Sequence, residues 1–239
     1  MKGVIFAAGL GTRLYPLTKD KPKALVEVKG KAMLGRVLDR MAEFNICEVV
    51  VNVHAFADKV EAYLKSYAAL HPEMRIIISD ERACLLETGG GLMKMQAWLD
   101  EPFIVHNVDV LSNVDLSLLK LQAGSIATLA VRKIESDRYF LFNPKGLLCG
   151  WENVQTGERK IARPLETDLQ RYGFTGIHWI QPELLKLITE QGVFSITDVY
   201  LRLAVNHDIY KVDVSDATWF DIGSPEQLVF AEQSHLISF

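Results

Sequence analysis

The feature that most constrains this chain is a short apolar run near the amino terminus that leads directly into a turn of small residues. Val4, Ile5 and Phe6 follow one another without polar alternation, which is typical of a strand buried on both faces of a parallel sheet. The turn that follows, residues 7–11, consists of alanine and glycine except for Leu10. Because such a turn carries almost no side chain, its backbone N–H groups can close around an anion. We therefore expect an anion-binding loop after the first strand.

The spacing within this loop excludes two common phosphate-binding motifs. A dinucleotide-binding fingerprint that begins at Gly9 requires glycine or alanine at its sixth position, which is Leu14 here. A Walker loop requires Gly-Lys-Ser or Gly-Lys-Thr, and neither sequence follows Gly9. Arg13 and Lys23 nevertheless add two cations to the glycine turn, and directional amides combined with cations suit a polyphosphate.

Apolar runs and helical periodicities alternate along the chain. This alternation predicts an α/β fold with a doubly wound, mostly parallel mixed sheet whose ligands bind at the carboxyl ends of the strands. The predicted strands after the first are residues 46–53, 74–79, 103–110, 126–131, 174–180 and 209–214. The predicted helices are residues 33–44, 58–67, 116–121, 182–189 and 197–205, with one more through Met93 and Trp98. Turn signals within residues 138–157 indicate a smaller region of β-hairpins.

Length, charge and cysteine usage exclude several classes of protein. A chain of 239 residues can bury about 70% of its extended surface, so we expect one domain, residues 1–239. The net charge of −4 argues against broad nucleic-acid binding. No apolar stretch approaches the roughly 20 residues of a membrane span, so no membrane partner is expected. Cys47, Cys84 and Cys149 form neither a zinc motif nor a disulfide framework, which fits a cytoplasmic protein.

Several motifs in the chain together resemble one known family. Residues 9–18, Gly-x-Gly-Thr-Arg-x-x-Pro-Leu-Thr, and Lys-Pro-Lys at 21–23 resemble the signature of the sugar-1-phosphate nucleotidyltransferases. Further motifs follow in the family's order: Glu-Thr-Gly-Gly-Gly at 87–91, Asn-Val-Asp at 107–109, Thr-Gly-Ile at 175–177 and Trp-Phe-Asp-Ile-Gly-Ser-Pro at 219–225. The resemblance covers nearly the whole chain and implies a Rossmann-like nucleotidyltransferase fold, similar to the GT-A fold, with the hairpins on the acceptor side.

The resemblance also implies a reaction and a set of roles. The phosphate oxygen of a sugar 1-phosphate would attack the α-phosphorus of a nucleoside triphosphate, and pyrophosphate would leave. Arg13 and Lys23 would be catalytic, and Asp109 and Asp221 would hold Mg²⁺. A carboxylate at the end of a strand is well placed to bind this ion. The implied nucleotide-binding residues are Ala8, Gly9, Gly11, Thr12, Arg13, Lys23, Glu87, Thr88 and Gly89. The implied sugar-phosphate-binding residues are Asn107, Arg163, Thr175 and Gly176.

Two positions depart from the family's pattern. Many members carry Glu-Lys-Pro where this chain has Ala-Arg-Pro at 162–164, so Arg163 is expected to replace the lysine that meets the sugar phosphate. Val108 replaces the glycine of the usual Asn-Gly-Asp motif. The three glycines of residues 89–91 should allow close ligand approach at the start of a helix, which Thr88 can cap.

The base, the sugar and the quaternary structure stay open at this point. Glu-Thr-Gly-Gly-Gly looks most like members that uridylylate N-acetylmuramate 1-phosphate, and GTP with mannose or heptose 1-phosphate is the alternative. Asn107-Val108-Asp109 also resembles the Asp-x-Asp motif of glycosyltransferases that use nucleotide sugars, although those enzymes lack the Gly-Thr-Arg loop. A catalytically silent nucleotide-sensing subunit is a third reading. The sequence contains no hexapeptide repeat of the kind that promotes a trimer, so we expect a monomer or a homodimer.

Overall fold

The apolar runs of the amino-terminal half form parallel strands in a computed structural model, which describes residues 1–120, 122–164 and 166–235. The strands are, in chain order, β1 Lys2–Phe6, β2 Glu27–Val28, β3 Lys31–Ala32, β4 Glu48–Val53, β5 Arg75–Asp80, β6 Phe103–Asn107, β7 Val110–Ser112, β8 Ser125–Arg132, β9 Arg138–Phe142, β10 Leu148–Asn153, β11 Arg159–Ile161, β12 Gln170–Ile180, β13 Asp208–Asp213 and β14 Trp219–Asp221. The α-helices are α1 Met33–Glu43, α2 Ala57–Leu70, α3 Glu87–Lys94, α4 Pro182–Lys186, α5 Ile196–Leu203 and α6 Pro225–Gln233.

One large mixed sheet organises the fold. Its strand order is β11-β10-β9-β12-β6-β1-β4-β5, and β8 pairs with both β12 and β13. Strands β6, β1, β4 and β5 are parallel, whereas β12 runs antiparallel to β6, β8 and β9. Strands β9 and β10 form a hairpin at one end of the sheet. The predicted α/β fold with a mixed sheet and a hairpin region is confirmed.

Apolar side chains cover both faces of the parallel strands, as the uninterrupted apolar runs predict. Val4 of β1 belongs to a core cluster on one face, together with side chains of α5. Its neighbour Ile5 belongs to the cluster on the other face, which includes side chains of α1 and α2. Within the described part of the chain, no helix has the length and apolar character that crossing a membrane requires.

The predicted strand at residues 103–110 is two strands in the structure. Strand β6 ends at Asn107, and β7 begins at Val110 and pairs with β14 instead of continuing in the large sheet. Asp109 therefore lies in the turn between two sheets. Apolar pattern alone predicted one strand because both strands are buried and apolar.

Two predicted helices also differ from the structure. The helix predicted at residues 116–121 is a 3₁₀ turn, Leu116–Leu119, in the structure. The last residue of the predicted helix, Leu121, lies outside the described residues. Helix α3 begins at Glu87 and therefore includes the three glycines that were expected to precede it. Helix α6 has a capped start, since Ser224 Oγ accepts a hydrogen bond from the N–H of Gln227 and Pro225 is the first helical residue.

Two histidines are fully buried in the central strands. Burial lowers the pKa of His106 from 6.5 to about 4, although its hydrogen bond to the carbonyl of Asn107 opposes this shift. Burial lowers the pKa of His178 from 6.5 to about 3, and the nearby His106 lowers it further. His178 Nδ1 also pairs with the hydroxyl of Tyr200. Both rings are therefore neutral in the folded protein above about pH 5.

These two histidines should make the fold acid-sensitive. Below pH 6.5 the two histidines are protonated in the unfolded chain but stay neutral in the folded protein. The free energy of unfolding should therefore fall by a few kcal/mol between about pH 6.5 and pH 4. Urea unfolding measured across this range should show a shallower decline for His106→Gln, which keeps a polar side chain that does not titrate. An equal decline in both proteins would contradict this account.

Candidate functional site

A cavity of about 500 Å³ opens where strands β1, β4 and β6 end. Residues from the glycine turn, the start of α3 and the turn after β6 line it together. Its lining consists of Phe6, Ala8, Gly9, Leu10, Gly11, Thr12, Arg13, Lys23, Asn52, Leu85, Glu87, Thr88, Asn107, Val108, Asp109, Ser195 and Gly223. The carboxyl ends of parallel strands thus form a pocket, as this class of fold predicts.

The glycine turn keeps its shape through contacts that admit no larger residue. Gly11 has φ +67°, and a Cβ at this position would lie 2.8 Å from Cβ of Lys23. The carbonyl of Gly11 accepts a hydrogen bond of 2.8 Å from the hydroxyl of Thr18. The turn therefore packs directly against Lys23 and places this lysine beside the loop amides.

A buried pair of polar side chains, Asn52 and Glu81, supports the same turn from below. Asn52 Oδ1 accepts hydrogen bonds from the N–H groups of Ala7 (2.6 Å) and Ala8 (3.2 Å). Asn52 Nδ2 donates to Glu81 Oε1 at 2.8 Å, and Glu81 Oε2 accepts from the N–H of Leu86 at 3.1 Å. This network joins the glycine turn to the segment that enters α3.

Sequence reasoning missed both members of this network. The only available signal was that the second strand carries Asn52 near its end, where a dinucleotide site would place an acidic residue. The network also corrects the expected role of Ala8, because its N–H already has a partner in Asn52. Ala8 lines the cavity, and within the described part of the chain the first amide of the turn without an acceptor in the protein is that of Gly9.

Lys23 and Asp109 form an ion pair at the wall of the cavity. Lys23 Nζ donates to Asp109 Oδ2 at 2.5 Å, and the lysine side chain is 9% exposed. A lysine buried to this extent needs a partner, since an isolated buried charge is costly. The two groups predicted to meet phosphate and metal are therefore held against each other.

Asp221 lies beside this pair because β14 pairs with β7. Asp221 is opposite Val110, and the N–H of Ile222 donates to the carbonyl of Asp109 at 2.8 Å. Burial raises the pKa of Asp221, and the charge of Asp109 raises it further, whereas Lys23 and Arg13 lower it. Asp109, Lys23 and Arg13 thus all lie close enough to Asp221 to influence its charge.

The guanidinium of Arg13 lies against Gly223, close to Asp221. A Cβ at Gly223 would lie 2.9 Å from Nη2 of Arg13, so the absence of a side chain there leaves room for the guanidinium. Sequence reasoning included Gly223 in a motif without giving it a role. Its function in the structure is to admit Arg13 next to β14.

The three glycines of α3 serve packing instead of ligand approach. A Cβ at Gly89 would lie 2.9 Å from the carbonyl oxygen of Phe194, which already accepts from the N–H of Gly89. A Cβ at Gly91 would lie 2.9 Å from Oε1 of Glu81. Gly89 is absent from the cavity lining, so its predicted nucleotide contact is not supported.

Thr88 and Glu87 lie at the cavity without capping the helix. Thr88 Oγ1 accepts a hydrogen bond from the N–H of Ile196 and so ties α3 to α5, which corrects its predicted capping role. Glu87 lines the same wall of the cavity in a left-handed backbone conformation, with φ +57°. Both residues line the cavity, and their contact with a nucleotide stays a prediction.

Arg163 belongs to a different part of the molecule. Its guanidinium donates to the carbonyls of Ala204 (2.7 Å) and His207 (2.9 Å) and to Asp208 Oδ1 (2.8 Å). Arg163 does not line the cavity. The prediction that it meets a sugar phosphate is therefore corrected, because its donors connect β11 to the start of β13.

Thr175 and Gly176 lie next to the site and contact protein groups. The hydroxyl of buried Thr175 donates to the carbonyl of Ala130 at 2.8 Å. A Cβ at Gly176, where φ is +80°, would lie 2.7 Å from Nδ2 of Asn107. Gly176, implied above to bind the sugar phosphate, thus leaves room for Asn107, which does line the cavity.

The protein provides two carboxylates for a cation. In the described part of the chain, no group of three or more histidine, cysteine, aspartate or glutamate side chains could hold a metal. Asp109 and Asp221 supply hard oxygen donors, and the raised pKa of Asp221 reflects burial and like-charge repulsion that a cation would relieve. The donor set fits Mg²⁺, which usually takes one or two carboxylates together with phosphates and water.

Comparisons with known proteins agree with this geometry. The model of the nucleotidyl transferase family matches residues 2–127. The chain is 34% identical to N-acetylmuramate alpha-1-phosphate uridylyltransferase of Caulobacter vibrioides over 239 residues, covering 96% of this chain and 94% of that protein. It is 27% identical to mannose-1-phosphate guanyltransferase of Yarrowia lipolytica over 235 residues, covering 96% of this chain and 62% of that longer protein.

A solved structure shares the fold. UDP-glucose pyrophosphorylase from Acinetobacter baumanii superimposes with a TM-score of 0.77 at 17% identity, covering 97% of this chain and 91% of that one.

Removing the support under the glycine turn should destabilise the protein. Asn52→Ala leaves the N–H groups of Ala7 and Ala8 without their acceptor, so we expect the free energy of unfolding to fall by about 3 kcal/mol. Urea unfolding measures the loss. Asn206→Ala, at an exposed position, serves as the matched control and should change stability by less than about 0.5 kcal/mol. A loss below about 1 kcal/mol for Asn52→Ala would contradict the supporting role.

Proposed function

The chain belongs to the nucleotidyl transferase family, and on that premise we propose that it transfers a nucleoside monophosphate to a sugar 1-phosphate and releases pyrophosphate. The observation that supports this most is that the glycine turn, Lys23 and Asp109 line one cavity, while Asp221 lies close enough for Asp109, Lys23 and Arg13 to shift its pKa. UTP and N-acetylmuramate 1-phosphate are the proposed substrates, because the relative that is 34% identical carries that activity in its name.

The triphosphate is proposed to bind along the glycine turn. Amides from Gly9 to Thr12 would donate to phosphate oxygens, and Arg13 would meet the β- and γ-phosphates. Lys23 would neutralise the α-phosphate, where negative charge develops during transfer. Glu87 and Thr88 lie on the opposite wall, where the nucleoside would fit.

Asp109 and Asp221 are proposed to hold Mg²⁺ between the nucleotide and the sugar phosphate. The ion would act as a Lewis acid that offsets phosphate charge. Lys23 pairs with Asp109 in the structure, so substrate and cation binding would separate this pair. The freed ammonium would then face the α-phosphate, and the freed carboxylate would face the cation.

The transfer step needs aligned substrates and no covalent intermediate with the protein. A phosphate oxygen of the sugar 1-phosphate forms a bond to the α-phosphorus while the bond from that phosphorus to the pyrophosphate oxygen breaks. The attacking group is already an anion, so no protein base has to remove a proton. Catalysis then consists of charge neutralisation by Arg13 and Lys23 and of in-line positioning. Asn107 lines the cavity next to Asp109 and is proposed to bind the entering sugar phosphate.

A second pair of substrates has its own support. The Yarrowia lipolytica relative is named for mannose 1-phosphate and a guanylyl group, so GTP with mannose or heptose 1-phosphate is the alternative. We also propose that residues 1–239 form one domain, which one continuous ten-stranded sheet supports. A monomer or a homodimer in the cytoplasm, where triphosphates are made, completes the proposal.

A pyrophosphate-release screen tests the proposed function. Four nucleoside triphosphates are incubated with a set of sugar 1-phosphates and Mg²⁺, and UTP with N-acetylmuramate 1-phosphate should give the highest turnover. Fastest release with GTP and mannose or heptose 1-phosphate would select the alternative pair. Nucleotide binding without pyrophosphate release from any pair would refute the proposal and favour a silent nucleotide-sensing subunit.

Loss of a charged group at the cavity should lower turnover without unfolding the protein. Asp109→Asn and Lys23→Ala should each reduce kcat by roughly 100- to 1,000-fold, as removal of one group that stabilises developing charge does. Asp216→Asn, an exposed aspartate near β14, is the control and should retain wild-type turnover. Near wild-type kcat in either cavity variant would remove that residue from the mechanism.

Crowding the Arg13 guanidinium should impair triphosphate use specifically. Gly223→Ala places a Cβ 2.9 Å from Arg13 Nη2, and the flexible guanidinium can move away while the fold is retained. We expect kcat/KM for the triphosphate to fall about tenfold, as loss of one charge-assisted hydrogen bond does. In an Arg13→Ala background the same substitution should have no further effect. Additive losses in the double variant would show that Gly223 acts independently of Arg13.

A further inference from the structure

A second cavity lies on the outer face of the hairpin region, and its lining is cationic. Its volume is about 520 Å³, close to that of the first cavity. It is lined by Lys133, Leu141, Glu152, Arg159, Leu169, Gln170, Arg171 and Tyr172. Three cations face one carboxylate, so the lining carries two positive charges in excess, in a chain whose net charge is −4. This excess predicts an anionic ligand.

The single carboxylate holds the arginines without using all their donors. Glu152 Oε1 accepts from Nε of Arg171, and Nε of Arg159 lies 3.7 Å from Glu152 Oε2. Glu152 has a side chain 11% exposed, whereas the side chains of Arg171 and Arg159 are more than half exposed. Across the described residues, the terminal nitrogens of Arg171 have no hydrogen-bond acceptor within the protein. An anchored guanidinium with free donors suits a ligand carboxylate.

Lys133 contributes a third, exposed cation to the lining of this cavity. Its side chain is exposed, and within the described part of the chain its ammonium forms no hydrogen bond or ion pair. Its backbone N–H donates to Ser215 Oγ at 2.9 Å, which fixes the point from which the side chain extends.

The cationic cavity and a smaller cavity beside Asp221 are lined by consecutive residues of one chain segment. The smaller cavity has a volume of about 190 Å³, and its lining includes Asp221, Trp219, Arg132 and Ile134. Lys133, which lies between Arg132 and Ile134 in the chain, lines the cationic cavity. The Arg132 guanidinium lies 5.2 Å from the centre of the Trp219 ring. A ligand held near Asp221 that extends along this segment would approach the cations.

Strand β12 connects the region of Trp219 to the cationic cavity, and its length indicates how long such a ligand would have to be. Trp219 Nε1 donates to the carbonyl of Thr175 at 3.1 Å, and Arg171 lies four residues earlier on β12. Four residues of strand span about 13 Å, which is the scale of a sugar phosphate with one further substituent. A sugar 1-phosphate whose phosphate lies near Asp221 would therefore be long enough for its far substituent to reach Arg171.

We propose that this cavity binds a carboxylate carried by the sugar and thereby selects acid sugar 1-phosphates over neutral ones. The inference rests on the proposed function and names the acceptor's chemical class. N-acetylmuramate differs from N-acetylglucosamine by one lactyl ether, which carries a carboxylate. This group gains charge-assisted hydrogen bonds from Arg171 and Lys133, whereas a neutral hydroxyl leaves two excess cations uncompensated.

The experiment compares two acceptors that differ only in this carboxylate. With UTP and Mg²⁺ in excess, kcat/KM is measured for N-acetylmuramate 1-phosphate and for N-acetylglucosamine 1-phosphate. The wild-type protein should prefer the acid sugar, and Arg171→Gln and Lys133→Gln should each reduce this preference roughly 10- to 100-fold, mainly through KM. Lys160→Gln is the matched control: Lys160 follows Arg159 on β11, points to the opposite sheet face and pairs with Asp198, so the preference should remain.

Each other outcome overturns the inference. An unchanged preference in both variants would show that the cations do not contact the substrate. An equal loss for both sugars would show that they act only on the structure, a result that thermal melting of the exposed Lys133→Gln variant would corroborate. Pyrophosphate release by the wild-type protein with no preference for the acid sugar would refute this inference alone. No release with any triphosphate and sugar would refute the proposed function and the inference with it.

Discussion

The pairing of β14 with β7 is the constraint on which the rest of the site depends. It places Asp221 opposite Val110 and joins Ile222 to the backbone of Asp109, so two carboxylates from distant parts of the chain become neighbours. Burial and mutual repulsion raise the pKa of Asp221, and this cost persists only because cations surround the pair. Lys23 and Arg13 supply that compensation in the absence of ligands. On substrate binding, a divalent cation would replace the lysine and arginine beside the two carboxylates, and a polyphosphate would take up the charges of Lys23 and Arg13.

The glycine turn meets this cluster because the protein supports it from two sides. Lys23 packs against Gly11 above, and the buried amide of Asn52 holds Ala7 and Ala8 below. Glu81 then ties Asn52 to the segment that enters α3. The two walls of the cavity thus share one buried network. Since buried polar groups are costly when they lose partners, this network fixes the distance between the walls.

The sequence contained enough information to predict the centre of the site. An apolar run followed by glycines indicates a loop at the end of a buried strand, and Asp109, just after Phe103–Asn107, and Asp221, at the end of Trp219–Asp221, stand out as candidate metal ligands. These features are local, so a single chain segment displays them. The start of α6 at Ser224 and Pro225 is predictable for the same reason.

Features that depend on distant neighbours were not predictable. Gly89 and Gly91 resemble a ligand-binding turn, but their space is filled by Phe194 and Glu81, which lie elsewhere in the chain. Arg163 matches a motif position, yet its donors bind carbonyls near the end of α5. The cations around Glu152 come from β11, β12 and the end of β8, and no single segment indicates that they share a cavity.

The central claim is that Asp109 and Asp221 jointly bind a divalent cation that also contacts the nucleotide. Crystals grown with Mn²⁺ and a non-hydrolysable UTP analogue would test it through anomalous scattering at the manganese edge. The account predicts one strong peak within coordination distance of both carboxylates and of a phosphate oxygen. A peak that contacts neither aspartate, or nucleotide density away from the glycine turn, would contradict it.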